Sequence, residues 1–153
     1  MIVSVKKLDH FDESVATIPH FQTEGAAGSD IHACFENKKG IQIRPFEKIL
    51  VSTGLCFSFP KGFEIQVRPR SGLSLKSPLI IPNSPGTIDS DYRGELKVIM
   101  MNLSNENYFI EHGLRVAQLV FSEYVTPDFK VVKNLDSTIR SDQGFGSTGK
   151  GIL

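Results

Sequence analysis

ILVSTGLCFSFPKGFEIQV, Ile49 to Val67, is the stretch that decides the fold class. Ile49 and Val51 alternate with their neighbours. Leu55, Phe57 and Phe59 do the same, and Phe63, Ile65 and Val67 follow after Pro60-Lys61-Gly62. A period of two, built from β-branched and aromatic residues, marks half-buried strands, and Pro-Lys-Gly between two such runs marks a turn. Outward from this stretch the pattern repeats. Ile41 and Ile43 alternate after Lys39-Gly40, and Val116 to Phe121 form another strand-like run. Turn signals fall at Pro82-Asn83-Ser84-Pro85-Gly86, at Asn105 to Asn107 and at His112-Gly113. Short strands at roughly 8–12-residue spacing predict an all-β sandwich or barrel with antiparallel strands. Helical periodicity is nearly absent. One short helix is expected from Ser71 to about Lys76, with Ser71 suited to cap it.

The chain has 153 residues, 40% apolar and 22% charged, with zero formal net charge. That length suits one domain able to bury a core. Zero net charge argues against a general nucleic-acid binder, while local arginines and lysines remain available for a small anionic substrate. Cys34 and Cys56 show no metal-ligand spacing and read as buried free thiols of a reducing compartment. No run approaches the ~20 apolar residues of a membrane span, and MIVSVKKLDH lacks a signal-peptide core. A cytoplasmic location with no membrane partner is expected.

The segment GTIDSDYRGEL, Gly86 to Leu96, reads as a strand, a tight turn and a second strand, a hairpin. It carries more polar groups than a turn needs. Asp89, Asp91 and Tyr92 are placed where a small polar ligand could be gripped. Arg68, Arg70, Ser71 and Lys76 surround the single helical turn, whose free N–H groups suit phosphate; solvated arginines beside a capped helix are the alternative. Gly25 to Asp30 is either a bend into a strand from Asp30 to Cys34 or an approach to a metal–water shell. Gln118 sits in an otherwise apolar strand and bonds either backbone or ligand. The four histidines fall at no triad or metal spacing, so covalent nucleophilic catalysis is not expected. From Asn134 the chain turns polar and Gly-rich. It is either a disordered tail or a phosphate-binding arm that orders on binding, equipped with Arg140, Ser147 and Thr148. Phe145 between two glycines is odd in a purely solvating tail.

Taken in order, these segments resemble the five motifs of the trimeric dUTPase family: Ala26 to Asp30, Arg70 to Lys76, Asn83 to Glu95, Arg115 to Val120, and Arg140 to Gly149. The likeness spans residues 26 to 149. It implies a β jelly roll, or distorted β-barrel, with one short helix, assembled as a homotrimer. The core would be residues 1–133, and residues 134–153 an arm that closes over the active site. The implied reaction is Mg²⁺-dependent hydrolysis of dUTP to dUMP and pyrophosphate, which limits uracil in DNA and supplies dUMP. Asp89 would be the general base for the attacking water, and Asp30 would hold the metal through a water. Arg70, Ser71, Gly72, Gln118, Arg140, Ser147 and Thr148 would contact phosphates. Asn83, Gly86, Thr87, Ile88, Tyr92, Lys97, Phe145 and Gly146 would form the nucleoside site, with Tyr92 beneath the deoxyribose and Phe145 on the uracil. Each site would draw on different subunits. Two positions depart from the family pattern: Ser29 stands where a bulky residue is common, and Gln143 where a glycine is common. A dCTP deaminase-like enzyme shares the fold but lacks the GFGSTG arm. A non-catalytic jelly-roll binding protein would have lost the base or the arm, and both are present.

Overall fold

A computed structural model describes residues 1–144. Ten strands and one helix follow in the order β1 (Ser4–Lys7), β2 (Ser29–His32), β3 (Gly40–Ile43), β4 (Lys48–Ser58), β5 (Phe63–Arg68), α1 (Ser71–Lys76), β6 (Leu79–Ile80), β7 (Gly86–Ile88), β8 (Glu95–Asn102), β9 (Tyr108–Glu111) and β10 (Arg115–Glu123). Two four-stranded sheets, ordered β1-β4-β8-β6 and β2-β10-β5-β7, carry the fold, with β3 and β9 forming a two-stranded ribbon. All pairings are antiparallel. The architecture is the expected all-β jelly roll with one short helix, an open pair of sheets and not a closed barrel.

Alternation explains the layering. Leu96, Val98 and Met100 of β8 point inward and are buried, as are Ile65 and Val67 of β5 and Leu119 of β10. Each such side chain contributes about 1.5–3 kcal/mol by leaving water. Asn102 ends the inward row of β8, fully buried. Its amide donates to the carbonyls of Ile43 and Glu106, at 3.3 and 2.6 Å, so the buried polar group is satisfied.

Three expectations are corrected. The separate runs at 49–51 and 55–59 belong largely to one eleven-residue strand, β4. The apparent break is a register shift between Ser52 and Cys56, centred on Gly54 at φ +70°. The strand expected to run from Asp30 to Cys34 stops at His32. Ser71 does not cap α1. Arg70 is the cap residue, in extended backbone and without a side-chain cap bond, and Ser71 is the first helical residue. Arg70 is drawn elsewhere, as described below, and its carbonyl accepts the Ser74 N–H at 3.0 Å to close the first turn.

Gly54 is a position where the backbone demands glycine. A Cβ there would lie 2.9 Å from the Phe11 Cα, in a left-handed conformation that L side chains resist. Gly54→Ala is expected to lower unfolding free energy by about 2–4 kcal/mol, read from the midpoint of a urea melt.

Candidate active site

β7 and β8 are not a hairpin. β7 pairs with β5 in one sheet, and β8 pairs with β4 and β6 in the other. The Asp89 to Gly94 link therefore crosses from layer to layer. Its turn is closed by the Tyr92 N–H donating to the Asp89 carbonyl at 3.1 Å. Local sequence shows two strands and a bend, but the choice of pairing partner depends on strands far away in the chain. Tyr92 folds back over Gly94, where a Cβ would lie 2.4 Å from the phenol oxygen. The Tyr92 hydroxyl donates to the Glu95 carbonyl at 3.0 Å.

This crossing opens a cavity of about 290 Å³ at the seam between the sheets. Asn83, Gly86, Thr87, Ile88, Tyr92 and Lys97 all line it. They are the described residues expected at the nucleoside. Apart from Glu95 its remaining wall is apolar, with Val67, Ile81 and Val98 shared with the core. A mostly apolar cleft with a few placed polar groups is what binds a small organic ligand. Asp89 lies on the other side of the bend. It is exposed and borders a second hollow of about 550 Å³ with Lys61, Ser90, Asp91, Arg93 and Tyr124.

The floor of the first cavity holds a residue that sequence reading missed as a site residue. Glu95 is almost buried, its side chain 10% exposed. The register shift at Gly54 leaves N–H groups of β4 without ladder partners. Glu95 Oε1 accepts them, from Thr53 at 3.0 Å and from Gly54 at 2.8 Å. His10 Nε2 lies 2.9 Å from the same oxygen, and Lys97 Nζ 3.3 Å from Oε2. Burial pushes the carboxyl up, but the Gly54 N–H, His10 and Lys97 outweigh it and hold its pKa below the usual glutamate range. The signal was present in part: a glycine inside a strand pattern suggests a bulge. Which acceptor serves that bulge is not readable from local sequence.

The expected phosphate residues gather at the start of α1. Asp30 Oδ1 accepts from Arg70 Nε at 2.7 Å, and Oδ2 accepts from Arg115 at 3.0 Å. Arg70 also donates to the Arg115 carbonyl at 3.3 Å. A guanidinium has five N–H donors, so Arg70 is fixed by two and keeps the others for a ligand. Gln118 is half-buried and donates to the Pro69 carbonyl at 2.9 Å. Ser71 and Gly72 are exposed at the helix start. Arg115, which sequence reading did not assign, belongs to this cluster. Burial, then Arg115, pushes the nearby His32 imidazole below its ordinary pKa.

None of these residues lines the first cavity. In the sheet order β2-β10-β5-β7, Asp30 and Gly86 are three strand spacings apart, roughly 14 Å. Arg140 is not brought to either half. It is exposed and donates to the Gln143 carbonyl at 3.0 Å. Phe145, Gly146, Ser147 and Thr148 lie outside the described residues. Residues 125–144 contain no strand and expose Val125, Phe129, Val131, Leu135 and Ile139, each at least 85% accessible. No helix among the described residues is long and apolar enough to cross a membrane.

A family model described as dUTPase matches residues 14–149. A deoxyuridine 5'-triphosphate nucleotidohydrolase of Fusobacterium nucleatum is 51% identical over 138 residues, which is 90% of this chain and 93% of that protein. The dUTPase of Staphylococcus bacteriophage 80alpha, solved with dUPNHPP, superposes with a TM-score of 0.84 at 28% identity and covers 97% of this chain and 99% of that one. A mutant dUTPase from phage phi11 of S. aureus, solved to show the coordination of a structural Mg(II) ion, gives a TM-score of 0.76 at 25% identity, covering 90% of this chain and 100% of that one.

Proposed function

The chain belongs to the dUTPase family, and on that premise we propose that it is a dUTP nucleotidohydrolase with Asp89 as the general base. The reaction converts dUTP to dUMP and pyrophosphate. The observation that carries the reading is the seam cavity, where Asn83, Gly86, Thr87, Ile88, Tyr92 and Lys97 converge and Ile88 is followed directly by Asp89, an exposed carboxylate without a side-chain partner among the described residues. The uracil and deoxyribose enter this cavity, Tyr92 and Gly94 leaving little room beside the sugar. Asp89 takes a proton from water as its oxygen attacks the α-phosphorus. The bond to the bridging oxygen breaks and pyrophosphate leaves. The half-neutralised pair of arginines, preset by Asp30, meets the charge that develops on the phosphates. Ser71, Gly72 and Gln118 add donors.

The residues present fit Mg²⁺ in one way. Among the described residues no three His, Cys, Asp or Glu side chains could cage a metal. Mg²⁺ commonly keeps several waters and takes its other ligands from substrate phosphates. Asp30 has accepted one bond on each oxygen and retains a lone pair on each, enough to hold a metal-bound water. The ion would neutralise phosphate charge.

A homotrimer with shared sites accounts for two observations. The nucleoside cavity and the phosphate cluster of one chain are separate. The row of exposed apolar residues beyond Glu123 is more than a lone domain usually leaves uncovered. The core spans residues 1–133, and residues 134–153, with Arg140, Phe145, Gly146, Ser147 and Thr148, close over a site built by neighbours. The free cysteines suit a cytoplasmic enzyme.

The test is pyrophosphate release from dUTP, dCTP, dTTP and UTP, with and without Mg²⁺. Turnover is expected with dUTP alone. A missing methyl contact discriminates by only ~1–3 kcal/mol, so rejection of dTTP requires a rigid wall. Comparable turnover of dTTP or dCTP would overturn the assigned pocket.

A further inference from the structure

We propose that Glu95 and His10 are positioning residues for the nucleoside pocket, their side chains acting through Lys97. The inference rests on the dUTP reading of that cavity and goes beyond it to the groups that hold its wall in place. Lys97 and Tyr92 both line the cavity, and both are tethered to the same residue. Lys97 Nζ lies 3.3 Å from Glu95 Oε2, and the Tyr92 hydroxyl donates to the Glu95 carbonyl at 3.0 Å. Glu95 and Lys97 stand two apart on one strand, and so share a face. An exposed lysine samples many rotamers. Here one charge-assisted contact restricts it and leaves its other donors for a base carbonyl or sugar hydroxyl.

Glu95 is itself held from three directions. The β4 bulge supplies two N–H groups, and His10 supplies a third donor at 2.9 Å. A carboxylate only accepts, so His10 Nε2 carries the proton of that bond. His10 is set by its own backbone. The Leu8 N–H donates to the Gly54 carbonyl at 2.8 Å, and Phe11 packs on Gly54. The N-terminal segment thus reaches the floor of the substrate cavity through one imidazole. On its outer side His10 borders a hollow of about 540 Å³ with Lys6, Lys7, Asp9, Glu36 and Lys38. The ring stands between that surface and the carboxylate.

The experiment measures kcat and KM for dUTP in five variants of the full chain, together with Kd for a nonhydrolysable dUTP analogue. Glu95→Gln keeps an acceptor for the bulge but turns an amide toward Lys97. It is expected to raise KM and Kd about tenfold, the loss of one charge-assisted bond, with kcat within about twofold. Lys97→Met, a change at a half-exposed side chain, is expected to do the same. The double variant Glu95→Gln with Lys97→Met is expected to match Lys97→Met alone, because Glu95 acts through Lys97. His10→Ala is expected to raise KM several-fold, and His10→Gln, which keeps a donor, to recover more than half of that loss. An active wild type whose KM and Kd stay within twofold in Glu95→Gln, Lys97→Met and His10→Ala overturns the inference alone. A fall in kcat and melting temperature with KM unmoved also overturns it, in favour of a purely structural network. A wild type that neither hydrolyses nor binds dUTP overturns the dUTP reading, and this inference with it.

Discussion

Asp89→Asn is expected to lower kcat for dUTP about a thousandfold, within the 10²- to 10⁴-fold range of a general base and equal to about 4 kcal/mol of activation free energy. Asparagine matches aspartate in size but cannot accept a proton from water at neutral pH. Asp89 is exposed, and among the described residues its carboxylate has no hydrogen-bond or ion-pair partner. The substitution therefore breaks no contact of the fold, and the melting temperature should not move. KM should stay within a few-fold, because Asp89 does not line the nucleoside cavity. Single-turnover pyrophosphate release separates these quantities. If the variant keeps a tenth or more of the wild-type rate, Asp89 is not the base. Asp91, which borders the same hollow, would then be the group to replace.

Ending the chain before Ser137 is expected to reduce kcat/KM by about 10²- to 10³-fold. That matches the loss of one or more preorganised donors from a site where phosphate charge develops. The deletion removes Arg140, Phe145, Ser147 and Thr148 together, along with the closure we propose, which would keep bulk water from the reacting phosphate. It leaves the exposed apolar row from Val125 to Leu135 in place. Assembly should therefore survive, and light scattering should still give the mass of the full oligomer less the deleted residues. Dissociation to monomers would make the tail a structural element and remove its assigned role. Full activity in the truncated chain would remove that role more directly.

What could be read in the sequence follows the range of the interactions involved. Strand content was legible because period-two alternation is a local property, and Ile65 and Val67, which the alternation marks, are buried on β5. The nucleoside residues were legible through the family resemblance, and the described ones line one cavity. What failed was pairing. Gly86–Ile88 and Glu95–Asn102 look like the arms of a hairpin, yet their partners are β5 and β4, and nothing within the segment distinguishes the two outcomes. Helix capping failed for a related reason. Arg70 is fixed by Asp30, a residue on another strand, and that sets where the helix begins more firmly than the preference of serine for the cap. Glu95 went unassigned because its importance arises from a bulge on a neighbouring strand. Arg115 stands within a motif, but its role does not show locally because its partner Asp30 lies in a different segment.

The crossing of Asp89–Gly94 between the two layers has a bearing on how such an enzyme can change over generations. Val67, Ile81 and Val98 belong at once to the hydrophobic core and to the wall of the cavity. Any substitution that alters how tightly the sheets clasp also resets the gap that admits or refuses a base. Thermal robustness and substrate choice are thus inherited through the same few side chains. A laboratory selection for heat tolerance alone should drift in its discrimination between uracil and thymine, even where no mutation touches a polar group of the site.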